Sequence, residues 1–154
     1  MPETMRRLSA LVLAAAVVLG DRALQGWMTG VLTRGQVVPV VPPVLYLTLT
    51  ENTGAAFSIL QHRSLLLVAV AVVVIGGAAV VLWRWPKLSG RALVGLGLVM
   101  GGAGGNLWDR VITGRVVDYV YIRDWPVFNL ADSAIVVGML LLLWEAWRMD
   151  HAAA

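Results

Sequence analysis

Residues 64–83 read SLLLVAVAVVVIGGAAVVLW, twenty positions without a charge. A helix rising about 1.5 Å per residue needs about 20 apolar residues to cross the hydrocarbon core of a bilayer. This stretch alone predicts a transmembrane helix, and three neighbours extend the pattern. Residues 8–20 are apolar, are interrupted by Asp21 and Arg22, and resume to Met28. Residues 92–108 are charge-free and rich in glycine, and 133–144 are charge-free with an upstream extension over 128–132. The expected fold is an all-α membrane protein with four transmembrane helices at about 7–28, 64–84, 91–109 and 130–148, in one domain covering 1–154.

Composition points the same way. Apolar residues make up 59% of the 154 and charged residues 14%, against about 45–50% and about 25% in soluble domains. That balance excludes a disordered chain and argues against a soluble enzyme. The net charge of +3 comes from basic residues that do not gather on one soluble face, so no nucleic-acid partner is expected. The absence of cysteine removes disulfides, thiolate metal sites and cysteine nucleophiles. Two histidines argue against a histidine-built metal site, and no metal or cofactor is expected. The expected surroundings are membrane lipid, and the chain is expected to act as a monomer.

The first span has a rival reading. Arg6-Arg7 before a 13-residue apolar run resembles a signal peptide, but Asp21-Arg22 stands where a small-x-small cleavage site should follow Gly20. A retained helix is therefore expected. Lys and Arg then set orientation. Arg6, Arg7, Arg84, Lys87, Arg91 and Arg148 flank one side of the spans, while the other six basic residues are spread among acids. Both termini and the loop between helices 2 and 3 are expected in the cytoplasm, with 29–63 and 110–129 outside. Six of seven tryptophans (Trp27, Trp83, Trp85, Trp108, Trp144, Trp147) fall at span ends, as interfacial anchors do.

The outer segments are not featureless. Leu45-Tyr46-Leu47-Thr48-Leu49-Thr50 alternates with period two and is rich in strand formers. Pro39, Pro42 and Pro43 restrict the preceding stretch to an edge or a bent hairpin. With 115–122 also strand-like, a small extracytoplasmic β element over about 36–57 and 115–122 is expected.

Charged residues within a span are costly and are functional suspects. With helix 1 entering from the cytoplasm near Leu8, Asp21 lies roughly 20 Å into a core of about 30 Å. Helix 3 enters near Ala92, placing Asn106 roughly 21 Å in and Arg110 roughly 27 Å in. Helix 4 returns inward, so Asp132 sits at its outer end. These four residues converge on the outer third of the bilayer. Gly97, Gly101 and Gly105 repeat every four residues, the pattern that lets helices pack closely. Gly102, Asn106 and Arg110 form the neighbouring stripe.

Each polar residue has a plain structural alternative. Asp132 followed by Ser133 can cap helix 4, Arg115 can neutralise Asp118, and Asn106 and Arg110 can serve as an interhelical hydrogen bond and a snorkelling cation. Asp118 stands out because it interrupts the apolar run Val116-Val117-Asp118-Tyr119-Val120-Tyr121-Ile122. Two carboxylates held close in a low-dielectric site do not both ionise easily. The ionised one can then take a proton from water while the protonated one hydrogen-bonds to a scissile carbonyl, which is aspartic-protease chemistry and needs no metal. A small proton-coupled transporter is the main alternative, since it too uses intramembrane Asp and Arg. It requires polar residues along a continuous path to both faces, and the cytoplasmic halves of these helices do not offer one. A non-catalytic assembly protein using the glycine stripe is a further alternative.

Four motifs occur in register: Glu51-Asn52-Thr53-Gly54-Ala55-Ala56-Phe57-Ser58, Gly101-Gly102-Ala103-Gly104-Gly105-Asn106-Leu107-Trp108-Asp109-Arg110, Gly114-Arg115-Val116-Val117-Asp118-Tyr119 and Phe128-Asn129-Leu130-Ala131-Asp132-Ser133. Together, over about residues 8–148, the chain resembles the lipoprotein signal peptidase (signal peptidase II) family. The resemblance implies an intramembrane aspartic endopeptidase of the bacterial cytoplasmic membrane. Its substrates would be prolipoproteins bearing a diacylglyceryl-cysteine, cut just before that residue. Asp118 and Asp132 fall on the family's catalytic pair, and Asn52, Gly54, Gly102, Asn106, Arg110, Asn129 and Ala131 on positions around its pocket. Asp21 matches an acidic position in helix 1. There the family usually reads Asp-Gln-x-Ser/Thr-Lys, whereas this chain has Asp21-Arg22-Ala23-Leu24-Gln25. Tyr119 also replaces a common Phe.

Overall fold

The computed structural model describes residues 2–54, 64–85 and 87–152. Four helices and three strands follow in the order α1 (Glu3–Val31), β1 (Val37–Val41), β2 (Leu45–Asn52), α2 (Ser64–Arg84), α3 (Gly90–Ile112), β3 (Val116–Ile122) and α4 (Leu130–Ala152). Three helices, Glu3–Val31, Ser64–Arg84 and Leu130–His151, are long and apolar enough to cross a membrane. Helix α3 has 23 residues, but seven glycines and the charges of Arg91, Asp109 and Arg110 dilute its apolar character. Helix α1 runs longer than the expected 7–28, because the turn containing Glu3 is already helical.

Helix α3 is the centre of the fold and packs against α1, α2 and α4. Its glycines explain how closely. A Cβ at Gly97 or Gly101 would lie 2.7 Å from the α1 carbonyls of Ala10 or Ala14. A Cβ at Gly95 would meet the Gly138 carbonyl of α4 at 3.0 Å, and one at Gly102 would collide with the Ala131 carbonyl. Gly97 and Gly101 therefore serve the contact with α1, and Gly95 and Gly102 the contact with α4. Ala10, Ala78, Leu82, Leu93 and Leu96 fill the core between α1, α2 and α3. The outward faces of α1, α2 and α4 remain apolar, with Leu19, Val73 and Leu140 exposed, and the six span-end tryptophans are all exposed.

The strands form one antiparallel sheet in the order β1-β2-β3. Strand β1 lies at the edge, where Pro39 costs no ladder bond that a central strand needs, and the β1–β2 register shifts between Pro39 and Val41. The expected hairpin is thus present over 37–52, and residues 55–57 of the expected β segment lie outside the described residues. The sheet stands on the end of α1, where Met28 and Leu32 pack with Leu49 and Tyr119.

Candidate active site

Strand β3 carries Asp118 into the interior. The register pairs Thr50 with Asp118 and Asn52 with Val116, so Asn52 lies diagonally across from Asp118 on the same face. Its Nδ2 donates to Asp118 Oδ2 at 3.0 Å, while its Oδ1 accepts from Gly54 N at 2.9 Å and shapes the turn after β2. The chain then folds back on β3, with Tyr119 N and Val120 N both donating to Phe128 O. That return sets Asn129 beside Asp118.

Asn129 joins the two aspartates. It is fully buried, and its Nδ2 donates to Asp118 Oδ1 at 3.0 Å and to Asn106 Oδ1 at 3.2 Å. Its Oδ1 accepts from Asp132 N at 2.9 Å, and its own N–H donates to Asp132 Oδ2 at 3.3 Å. This is a capping box, in which the residue before the helix and the third helical residue exchange hydrogen bonds. The N-cap is therefore Asn129, and the structural alternative in which Asp132 itself caps α4 does not hold. Asp132 sits one turn in, with Oδ1 accepting from Asn106 Nδ2 at 2.7 Å.

The first turn of a helix leaves N–H groups that its own ladder cannot satisfy. In α4 each of the first three finds a side chain. Leu130 N donates to the Tyr119 hydroxyl at 3.1 Å, Ala131 N to Asp21 Oδ1 at 3.2 Å, and Asp132 N to Asn129. Three separate parts of the chain thus fix the turn that bears Asp132. Asp21 is fully buried and reaches the site through Ala131, not by touching Asp118 or Asp132 in any bond described.

Arg110 donates from Nη2 to Gly54 O at 3.0 Å and from Nη1 to Asn106 O at 3.2 Å. It ties the turn after β2 to α3. Arg115 does not neutralise Asp118, because it pairs with Glu51 at 2.8 Å. Burial, and next the charge of Asp132, push the Asp118 carboxyl up to about 7, against the opposing hydrogen bond from Asn52.

Asn52, Asn106, Arg110, Asp118 and Asp132 line a cavity of about 610 Å³. The rest of its wall is largely apolar, from Leu67, Val70 and Val74 of α2 and Ile135 and Val136 of α4. Among the described residues no group of His, Cys, Asp and Glu could hold a metal ion. Three residues that the sequence reading did not single out also belong to the neighbourhood: Arg22, Gln25 and Asp109. Arg22 pairs with Asp109 and, at 2.6 Å, with Asp21. Gln25 Nε2 donates to both carboxylates at 3.0 Å.

An apolar helical body with two carboxylates on a largely apolar cavity defines the class as a helical, membrane-type protein. Comparison with known proteins narrows this class. The profile of signal peptidase (SPase) II matches residues 13–148. A lipoprotein signal peptidase of Pelotomaculum thermopropionicum is 48% identical over 136 residues, covering 86% of this chain and 88% of its own. One from Halothermothrix orenii is 37% identical, covering 90% and 95%. A solved bacterial membrane enzyme, determined by the in meso method, superposes with a TM-score of 0.86 at 26% identity, covering 91% of this chain and 88% of that one. The chain belongs to the signal peptidase II family. It is a peptidase that cleaves signal peptides, and family and apolar helices together make it a protein of the bacterial inner membrane.

Proposed function

We propose that the chain is an intramembrane aspartic endopeptidase that removes signal peptides from diacylglyceryl-modified prolipoproteins, with Asp118 and Asp132 as its catalytic pair. The observation that carries this reading is Asn129, whose one amide bonds to Asp118 and to the backbone of Asp132, with both carboxylates facing a single cavity. The pair shares one proton. Its ionised member takes a proton from a water molecule whose oxygen attacks the scissile carbonyl carbon. The protonated member donates to the carbonyl oxygen as the tetrahedral intermediate forms. Collapse breaks the C–N bond; the leaving amine takes the proton drawn from water, and the oxygen that received the pair's proton returns it as C=O re-forms, leaving the pair with one proton again.

Asn52, Asn106 and Asn129 hold the carboxylates, and Arg110 with Gly54 closes the outer edge of the pocket. Gly102 lets α4 approach α3, and Ala131 receives Asp21. All four helices span the bilayer, with both termini cytoplasmic and the site towards the outer leaflet. Supporting this are the basic residues gathered at one end of the helices and the calculated depths of Asp21, Asn106, Arg110 and Asp132. The apolar wall between α2 and α4 suits a substrate that keeps its acyl chains in lipid while its peptide bond reaches the pair.

The reading is tested with the full-length protein in liposomes, given one peptide with a diacylglyceryl-cysteine and the same peptide unmodified. Cleavage immediately before the modified cysteine, with the unmodified peptide left intact, is expected. Equal cleavage of both peptides, or none of either by a folded preparation, rejects the substrate assignment.

A further inference from the structure

Asp21, Arg22, Gln25 and Asp109 form a polar cluster that does not line the cavity, so it does not touch a substrate there. Asp21 and Asp109 are both buried, and two buried carboxylates at close range need a cation between them. Arg22 provides it. Its Nη2 lies 2.6 Å from Asp21 Oδ2 and 2.9 Å from Asp109 Oδ2, while Nη1 pairs with Asp109 Oδ1. The guanidinium thus grips Asp109 with two nitrogens and Asp21 with one.

Asp21 spends its other oxygen on Ala131 N, the second N–H of α4 and the residue next to Asp132. Gly105 makes the approach possible, since a Cβ there would stand 3.0 Å from Asp21 Oδ2 and 3.3 Å from Ala131 Cβ. The cluster therefore joins α1, α3 and α4 at the level of the carboxylate pair. We propose that Arg22 is a positioning residue for the peptidase reaction: it clamps the Asp21 carboxylate in the orientation that holds Ala131 N–H, and with it the first turn of α4 that presents Asp132. This rests on the assignment of Asp132 to the catalytic pair. Without the cation, the Asp21 carboxylate turns away from Asp109, and its hold on Ala131 weakens.

The geometry also says where else the charge can stand. Gln25 lies one turn along α1, and its Nε2 already reaches Asp21 Oδ2 and Asp109 Oδ2 at 3.0 Å each. An ammonium at position 25 meets the same two oxygens. Moving the cation by one turn should restore what its removal takes away, which a packing role for Arg22 does not predict.

The test uses full-length protein in liposomes and three forms: Arg22→Met, the double substitution Arg22→Gln with Gln25→Lys, and Asp132→Asn. Arg22→Met is expected to lower kcat about 10²-fold with KM little changed, the loss typical of a small misplacement of a reacting group. The double substitution is expected to return kcat to near the wild-type value. Wild-type kcat in Arg22→Met overturns the proposal, as does a double variant as slow as the single one. If Arg22→Met fails to accumulate in the membrane, the double variant decides alone: recovered accumulation with turnover supports the clamp, and their absence overturns it. Asp132→Asn separates the two levels of the reading. Retained turnover there removes Asp132 from the pair and the clamp with it, whereas lost turnover beside an unaffected Arg22→Met overturns the clamp alone.

Discussion

Replacing Asn129 by alanine removes the amide that joins the two aspartates. The substitution deletes the acceptor for Asp132 N, at 2.9 Å, and the donor to Asp118 Oδ1, at 3.0 Å, and to Asn106 Oδ1, at 3.2 Å. Asn129 is completely buried, so no water replaces any partner at once. Each orphaned buried group costs about 1–3 kcal/mol, or about 3–9 kcal/mol for the three. Of this, about 1 kcal/mol is the ordinary loss of an N-cap. If about 3 kcal/mol of the total falls on the transition state, kcat drops about 10²-fold at about 1.4 kcal/mol per decade. The assay is cleavage of a lipidated peptide by the protein in liposomes, with unfolding followed by fluorescence of the seven tryptophans. Asn129→Asp supplies the contrast. It keeps an acceptor for Asp132 N, so the unfolding temperature should stay closer to wild type than for alanine. It loses the donor to Asp118 and adds a third carboxylate, so kcat should fall at least as far as with alanine. An inserted Asn129→Ala protein with undiminished kcat refutes the view that this amide organises the pair.

Other consequences follow from the same geometry. Because Asp118 is held up to about 7, the pair loses its single proton as pH rises through that value, and kcat/KM should fall on the alkaline side. The hydrogen bond from Asn52 favours the ionised form of Asp118, so Asn52→Ala should raise its pKa and move the alkaline limb to higher pH; a limb that stays or moves lower in the pH–rate profile counts against the assignment. In Gly102→Ala the new methyl collides with the Ala131 carbonyl and stands 2.7 Å from Ile135 Cγ1. It should cost about 1–3 kcal/mol of stability by overpacking, seen as a lowered unfolding temperature together with slower turnover. A divalent-metal chelator should leave turnover at its untreated value, which a direct activity assay checks.

Much of the fold could be read directly, because the bilayer imposes one dominant length on apolar helices. Residues 64–83 and 133–144 needed only a count, and the alternation of 45–50 announced the strand that became β2. The depth calculation brought Asp21, Asn106 and Asp132 to one level, and the structure joins Asn106 to Asp132 and Asp21 to the adjoining Ala131. What helix spacing could not give was the division of labour within α4. An Asp at a helix start reads equally well as a cap or as a third residue, and only the position of Asn129 decides it. Arg22 and Asp109 were hidden differently, since each sits beside a residue that already drew attention. A signal was nonetheless present. The stripe Gly97, Gly101, Gly105 continues by four to Asp109, and Asp21 continues by four to Gln25, so the two polar ends lie where the packed faces of α1 and α3 meet. Two acids meeting at a buried helix contact demand a cation, and Arg22 is adjacent in sequence.

The catalytic pair itself is best examined by making Asp118→Asn and Asp132→Asn separately in the full-length protein. Each is isosteric, keeps an oxygen that can accept hydrogen bonds, and leaves the box at Asn129 a partner in position 132. Both proteins should insert, unfold near the wild-type temperature and bind the lipidated peptide. Their turnover should fall about 10²–10⁴-fold, the range expected when a positioned acid or base is lost. A stably inserted variant of either kind that still releases the signal peptide at the wild-type rate is incompatible with water activation by Asp118 and Asp132.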